Sequence, residues 1–409
     1  MTVRGPEGGV LGVTGRAPAA PRPVPIGRAD LPPPVAGLPG WALALGLFLT
    51  VRGAGALTVA LGAWASGRRP LTVLGGSWDS RWYLSIVTHG YGRTQIWPEL
   101  DSVQSDLAFF PLFPGLTRLL CAVTGMPPMA AGLLVAWAAA AAAAVGVYQV
   151  ARRVGGTRTA VLSVLLWSAL PHAVVLGIAY TEPLLTACAA WALYAVLRGW
   201  WGWAAVAAVL AGLTRPTGIA VAAAVSVAAL CAVVAARGRA RPGIWAAGLC
   251  APAGWAAYVL AVGARRGDLW GGYFAVQADW GSRFDFGRGV VTSVARLAAD
   301  PGRAPIVTLT VPLVLAGVVW SAVALARTRP LPPLPVLVYT GVLLLIAFGG
   351  AGFFESRPRF LLPAFPLLLP AAWALGRARR RTAVAVVGGL AAVSCGWGAY
   401  LLLGSGLPL

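Results

Sequence analysis

The run PPMAAGLLVAWAAAAAAAVGVYQVA, residues 127–151, decides what kind of protein this is. It carries no charged side chain and ends against Arg152 and Arg153. An α-helix rises about 1.5 Å per residue, so about 20 apolar residues cross the ~30 Å hydrocarbon core of a bilayer. Comparable apolar runs recur along the 409 residues, at 41–64, 159–180, 183–198, 200–214, 217–236, 243–263, 304–326, 331–352, 359–376 and 382–403. The composition agrees, with 58% hydrophobic and only 11% charged residues. A membrane β-barrel would alternate apolar and polar residues in segments of about ten, and no stretch here does. The expected fold is all-α and polytopic, with about 11 transmembrane helices.

The basic residues are all arginine, and the net charge is +20. In a soluble protein that charge would suggest nucleic acid. Here the arginines are scattered at the ends of apolar runs, so membrane orientation explains them and no nucleic-acid partner is expected. With a cytoplasmic N-terminus, the inner segments hold 17 of the 32 arginines but only Glu7 and Asp30 among the 12 acids. The outer side therefore collects the other ten carboxylates, a sharper asymmetry than the arginine excess. Abundant Ala, Gly, Val and Arg suggest a bacterial genome of high GC content, and hence a multi-pass protein of the bacterial plasma membrane. Residues 1–40, with nine prolines and four arginines, read as a disordered cytoplasmic tail. Residues 41–403 read as a single integral-membrane domain and 404–409 as a short extracytoplasmic end. The five cysteines lack metal-ligand spacing and read as small buried hydrophobes.

Two long outer loops follow from this topology, 65–126 and 264–303. The first contains LAFFPLFPGLTRLL (107–120), apolar but interrupted by Pro111 and Pro114, expected as a re-entrant or interfacial helix. Runs 183–198 and 200–214 are short for a full crossing, which places TEP (181–183) and TRPTG (214–218) below the outer surface. Irregular backbone at that depth survives only against protein or a water-filled cavity. An outward-opening cavity is therefore expected beside Glu182 and Arg215, charges that are costly in hydrocarbon. A structural ion pair between them is the alternative reading. No internal repeat is evident, which counts against a transporter built from inverted repeats.

Chemistry concentrates in SWDSRWYLSIVTHGY, residues 77–91. A carboxylate at Asp79 suits a base that takes a proton from a sugar hydroxyl. Trp78, Trp82 and Tyr83 suit stacking on sugar faces, with Arg81 and His89 as further polar contacts. A solvated loop acid flanked by interfacial tryptophans fits the same residues. ESRPRF (355–360) adds Glu355, Arg357 and Arg359; the planar guanidinium fork suits phosphate, though snorkelling arginines at a helix end look alike. His172 reads as a residue packed within a helix, and Arg52 as a partner for a neighbouring helix. A divalent metal on Asp79, Asp101 and Asp106 is possible but no spacing demands it. No cofactor is expected, because guanidinium groups can hold a monophosphate leaving group.

Taken in order, WDSRWYLSIVTHGY, LAFFPLFPGL, ALPHAVVLGIAYTEPLL, AGLTRPTG and SRPRFLLPAFPLL resemble the PIG-V-like mannosyltransferases, relatives of the enzyme that adds the second mannose in GPI-anchor assembly. The resemblance spans about residues 41–376. It implies a GT-C-type integral-membrane fold and an inverting transfer of mannose from a polyprenyl-phosphate-mannose donor to a glycan, glycolipid or protein hydroxyl at the outer face. It also implies Asp79 as the catalytic carboxylate and Tyr180, Glu182 and Arg215 as polar positions at outer helix ends; the expectation that Arg215, with Arg357 or Arg359, meets the donor phosphate comes from guanidinium chemistry and not from the resemblance. The rivals are the same fold using another lipid-linked sugar such as arabinose, a lipid-linked sugar flippase, and a non-catalytic envelope scaffold.

Overall fold

A computed structural model describes residues 39–97 and 102–406; the expected N-terminal tail lies outside these residues. The helices are α1 (Gly40–Ala65), α2 (Pro70–Gly75), α3 (Asp79–His89), α4 (Leu112–Thr124), α5 (Pro128–Ser168), α6 (Glu182–Arg198), α7 (Trp201–Gly212) and α8 (Ile219–Ala235). They continue as α9 (Pro242–Cys250), α10 (Ala253–Arg265), α11 (Gly272–Asp279), α12 (Arg288–Ala299), α13 (Ile306–Ala326), α14 (Leu334–Gly349), α15 (Arg357–Phe360), α16 (Leu369–Arg377) and α17 (Arg380–Leu403). Strands β1 (Thr94–Trp97) and β2 (Ser102–Ser105) form one antiparallel pair that the apolar pattern does not announce. Among the described residues, six helical stretches are long and apolar enough to cross a membrane: Gly40–Ala65, Pro128–Ser168, Pro216–Ala235, Pro242–Arg265, Ile306–Ala326 and Arg380–Leu403. Trp201–Gly212 and Leu334–Gly349 are apolar but shorter.

Several expected spans are broken, and proline or glycine accounts for each break. The two runs 127–151 and 159–180 meet in α5 at Gly156, whose φ of 80° interrupts the helix. The second leg then stops at Ser168 instead of reaching 180. Pro171 has no N–H to continue the ladder and steers Leu170 away from helical geometry, so the chain turns through a short 3-10 segment, Ala173–Gly177. His172 thus sits in this irregular stretch, buried, and not within an α-helix. The run 243–263 is divided at Pro252. The run 359–376 is split by Pro363 and Pro366 into α15, a 3-10 turn at Phe365–Leu368 and the nine-residue α16.

A broken helix exposes carbonyls, which in an apolar interior must find donors. Side chains supply them. Trp167 Nε1 donates to Leu362 O at 3.0 Å, Tyr339 OH to Pro363 O at 2.8 Å, and Ser394 Oγ to Leu170 O at 2.7 Å. Trp137 Nε1 donates to Gly177 O at 3.2 Å. The irregular segments are consequently buried against protein, and they carry the site.

Gly40 packs against Tyr148 and Thr157, and Arg158 donates to Ala378 O at 2.9 Å, gathering the expected inner turns at one end of the bundle. From there α1 climbs 26 residues to the loop that carries Asp79. Helix α4 has 13 residues, about 20 Å, too short to cross. It buries Phe113 and Thr117 while Leu119 and Val123 stay exposed. Helix α12 buries no residue completely; Val290, Val294 and Leu297 rest on the cluster around Val311 and Leu315. Cys188 is buried as expected, but Cys231 and Cys250 lie exposed on their helices. Arg52, buried in α1, has Cys395 Sγ of α17 4.0 Å from its Nη2.

Candidate active site

Asp79 is the first residue of α3, where a carboxylate faces the positive end of the helix. Trp78 before it has φ 44°, a sparsely populated conformation for a bulky residue. The turn is pinned from across the bundle. Asp79 N donates to Tyr180 OH at 3.1 Å, and Ser80 Oγ donates to Ala179 O at 3.0 Å. The Pro171-driven break thus places residues 179–182 beside the start of α3.

The charges meet as an alternating chain. Asp79 Oδ2 lies 2.7 Å from Arg359 Nη1. Arg359 Nε is 3.8 Å from Glu182 Oε1, and that oxygen lies 2.5 Å from Arg215 Nη1. Arg215 Nη1 also donates to Thr181 Oγ1 at 2.9 Å, and Thr181 shares a 3.1 Å hydrogen bond with Tyr83. Aromatic faces close the guanidinium planes: Arg359 lies 5.0 Å over both Tyr180 and Phe360, and Arg215 5.6 Å over Phe360. Burial pulls the Arg359 pKa down, but Asp79, Tyr180 and Glu182 outweigh it and hold it above the ordinary value. Burial likewise raises the Tyr83 hydroxyl well above its usual range.

The two acids differ in access. The Glu182 side chain is 1% exposed and the Asp79 side chain 23%. Glu182 lines neither cavity at the site; it holds two arginines in place. Asp79 lines both. The first cavity, about 540 Å³, is walled by Phe109, Phe110, Trp255, Phe274, Ile346 and Phe360 and by Arg215, Arg283, Arg357 and Arg359. The second, about 820 Å³, is walled by Trp78, Arg81, Trp82, Ser85, Arg93, Thr94, Gln95 and Gln104. Asp79, Trp280, Phe353 and Arg359 stand at their junction, lining each.

The expected residues therefore divide. Asp79, Trp78, Arg81, Trp82, Tyr83, Arg215, Arg357 and Arg359 line the cavities, whereas Tyr180 is fully buried behind Asp79 and Glu182 beneath it. His89 lies exposed at the far end of α3, ten residues or ~15 Å from Asp79, and lines neither cavity. Arg357 is committed to backbone: it donates to the carbonyls of Ala347, Gly350 and Gly352. Glu355 accepts from Thr308 Oγ1 at 3.2 Å. Asp106 is buried and accepts from the N–H groups of Gly92 and Arg93 at 2.9–3.0 Å, fixing the turn after α3. Asp101 lies outside the described residues. Among the described residues no three His, Cys, Asp or Glu side chains converge on a metal position.

Trp280, Arg283 and Phe353 had not been expected at the site. Trp280 packs edge-on to Trp82 at 5.2 Å and donates to Ser105 O at 3.0 Å, tying the second outer loop to the first. The signal was present in WGSRFDF (280–286), an aromatic cluster around one arginine.

Residues 110–259 match the family model described as dolichyl-phosphate-mannose-protein mannosyltransferase. No curated protein sequence matches the chain significantly. Among solved structures, ArnT from Cupriavidus metallidurans, bound to undecaprenyl phosphate, is 17% identical with a TM-score of 0.52; the match covers 87% of this chain and 62% of that one. The apo oligosaccharyltransferase of Archaeoglobus fulgidus is 15% identical with a TM-score of 0.48, covering 87% and 55% respectively. The chain thus spans less than two thirds of the length of either structure. The family match over residues 110–259 supports a glycosyltransferase, the likeness to ArnT shows the fold, and the chain itself is an all-α, multi-pass membrane protein.

Proposed function

We propose that the chain is an inverting glycosyltransferase that moves mannose from a polyprenyl-phosphate-mannose donor to an acceptor hydroxyl at the outer face of the bacterial plasma membrane. One observation carries this reading: a single partly exposed carboxylate, Asp79, stands where an apolar, arginine-bearing cavity meets a polar, aromatic one. The apolar cavity suits a lipid phosphate, and the matched family's description and the lipid held by ArnT support that donor class. The polar cavity, with Trp78 and Trp82 as stacking surfaces and Gln95 and Gln104 as hydrogen-bonding groups, suits a glycan, glycolipid or protein hydroxyl. The finer placement among PIG-V-like enzymes rests on the ordered motifs from WDSRWY to SRPRF.

In the transfer, an acceptor oxygen attacks the anomeric carbon as Asp79 takes its proton. The bond from that carbon to the phosphate oxygen breaks, and the electron pair leaves with the polyprenyl phosphate. Entry from the cavity opposite the phosphate inverts the anomeric centre. Developing charge on the phosphate faces guanidinium groups already oriented by Glu182 and by aromatic stacking, so little reorganisation is needed. This assigns charge stabilisation to arginine and requires no metal; enzyme treated with EDTA is expected to keep its rate, and loss of activity restored by a divalent cation would overturn that assignment.

The test uses purified full-length protein in nanodiscs with undecaprenyl phosphate carrying radiolabelled mannose, arabinose or glucose, and an envelope lipid and glycan extract as acceptor. Mannose is expected to transfer, and Asp79→Asn to slow transfer by about 10²–10⁴-fold, the range for losing a positioned base. A folded Asp79→Asn protein working at the wild-type rate would remove Asp79 from the mechanism. Preference for arabinose would overturn the sugar while leaving the base in place.

A further inference from the structure

Three of the four arginines lining the apolar cavity are already engaged. Arg215 is held by Glu182 and Thr181, and Arg359 by Asp79 and Glu182. Arg357 is spent on three carbonyls at the end of α14. Arg283 differs. It lines the same cavity, it is exposed, and among the described residues its guanidinium has no hydrogen bond, ion pair or ring contact.

Its backbone, by contrast, is fixed. Arg283 O accepts from Ala351 N at 2.6 Å, Phe284 forms a bridge with Gly350, and Asp285 N donates to Gly349 O at 2.9 Å. The Asp285 carboxylate then accepts from the N–H groups of Gly287 and Gly289 at 2.9 and 2.6 Å. The strip 347–352 to which this segment is stapled is the one Arg357 clamps. A backbone fixed by hydrogen bonds thus presents an unpaired cation at the cavity edge.

We propose that Arg283 is the phosphate-anchoring residue of this cavity, engaging the lipid phosphate with the one guanidinium that no protein group has claimed. This rests on the reading of a polyprenyl-phosphate donor and goes beyond it by assigning the contact. A charged hydrogen bond of this kind is worth about 10–100-fold in affinity.

The experiment measures equilibrium binding of undecaprenyl phosphate to the full chain in detergent micelles, with uncharged undecaprenol as control, across a range of NaCl concentrations. Wild type is expected to prefer the phosphate. Arg283→Gln should lose most of that preference and flatten the salt dependence, Arg283→Lys should recover part of both, and undecaprenol binding should stay unchanged. Both variants are expected to melt with the wild type, because the side chain has nothing to lose. If wild type shows no preference for the phosphate, the donor reading falls and this assignment with it. If wild type prefers the phosphate and Arg283→Gln binds it equally well, the donor reading stands and Arg283 is excluded. Equal losses of undecaprenol and phosphate binding in Arg283→Gln overturn the assignment too, since they report a structural role.

Discussion

Asp79 and Glu182 show how exposure separates two carboxylates that share an arginine. Glu182, 1% exposed and bonded to Arg215, neutralises charge inside the protein; Asp79, 23% exposed, can meet a substrate. Breaking a buried pair by removing one partner costs about 3–5 kcal/mol, because the remaining charge stays desolvated. Glu182→Gln is therefore expected to lower the thermal midpoint sharply and to lose activity with it. Asp79→Asn should lose activity with a smaller loss of midpoint, since its group is part-solvated and Arg359 retains Glu182. Equal destabilisation by the two substitutions, measured by thermal unfolding in the same detergent, would argue against this division. At this scale the sequence singled out acids and arginines that the structure brings together, because a charge at membrane depth needs a partner. It offered one pairing that the structure shows, Glu182 with Arg215, and missed the others. Arg357 and Arg359 stand two residues apart with the same chemistry, yet one clamps carbonyls and the other grips Asp79.

At the scale of elements, the site depends on helices that stop early. Helix α7 ends at Gly212, shortly before Thr214 and Arg215, where α10 approaches closely. A Cβ on Gly254 would strike the Val209 carbonyl, and one on Gly212 would press on the backbone of Trp255 at 2.5 Å. Gly254→Val is expected to destabilise by about 1–3 kcal/mol through overpacking and to reduce transfer by displacing Arg215. Gly46→Ala, where a Cβ meets nothing, is the control; it should be neutral or stabilising by up to ~1 kcal/mol. Thermal midpoints of the two variants check this. The apolar runs located most of the helices. They overextended 159–180 and 359–376 because hydrophobicity continues through Pro171, Pro363 and Pro366. A proline break inside protein looks apolar in composition, since the freed carbonyls find their donors from distant side chains such as Trp167 and Tyr339.

For the whole molecule, the two ends of the bundle differ in kind. One end gathers Gly40, Tyr148, Thr157, Arg158 and Ala378; the other gathers the alternating charges and both cavities. On a cysteine-free background, single cysteines at the exposed positions His89, Trp270 and Arg379 test the proposed orientation. A membrane-impermeant maleimide added to intact cells should label His89→Cys and Trp270→Cys, and reach Arg379→Cys only after lysis. The reverse pattern would turn the site toward the cytoplasm and end the proposal of an outer-face donor. From the residues alone came the membrane class and the placement of most helices. Those follow from costs levied locally, as hydrocarbon penalises every charge and every unpaired backbone group wherever it falls. Tertiary structure alone decided that Glu182 also faces Arg359, that Arg357 is spent on carbonyls, and that Arg283 remains free beside the junction Asp79 occupies. Which charge neutralises which depends on distances between groups far apart in the chain, and hydropathy carries no record of those distances.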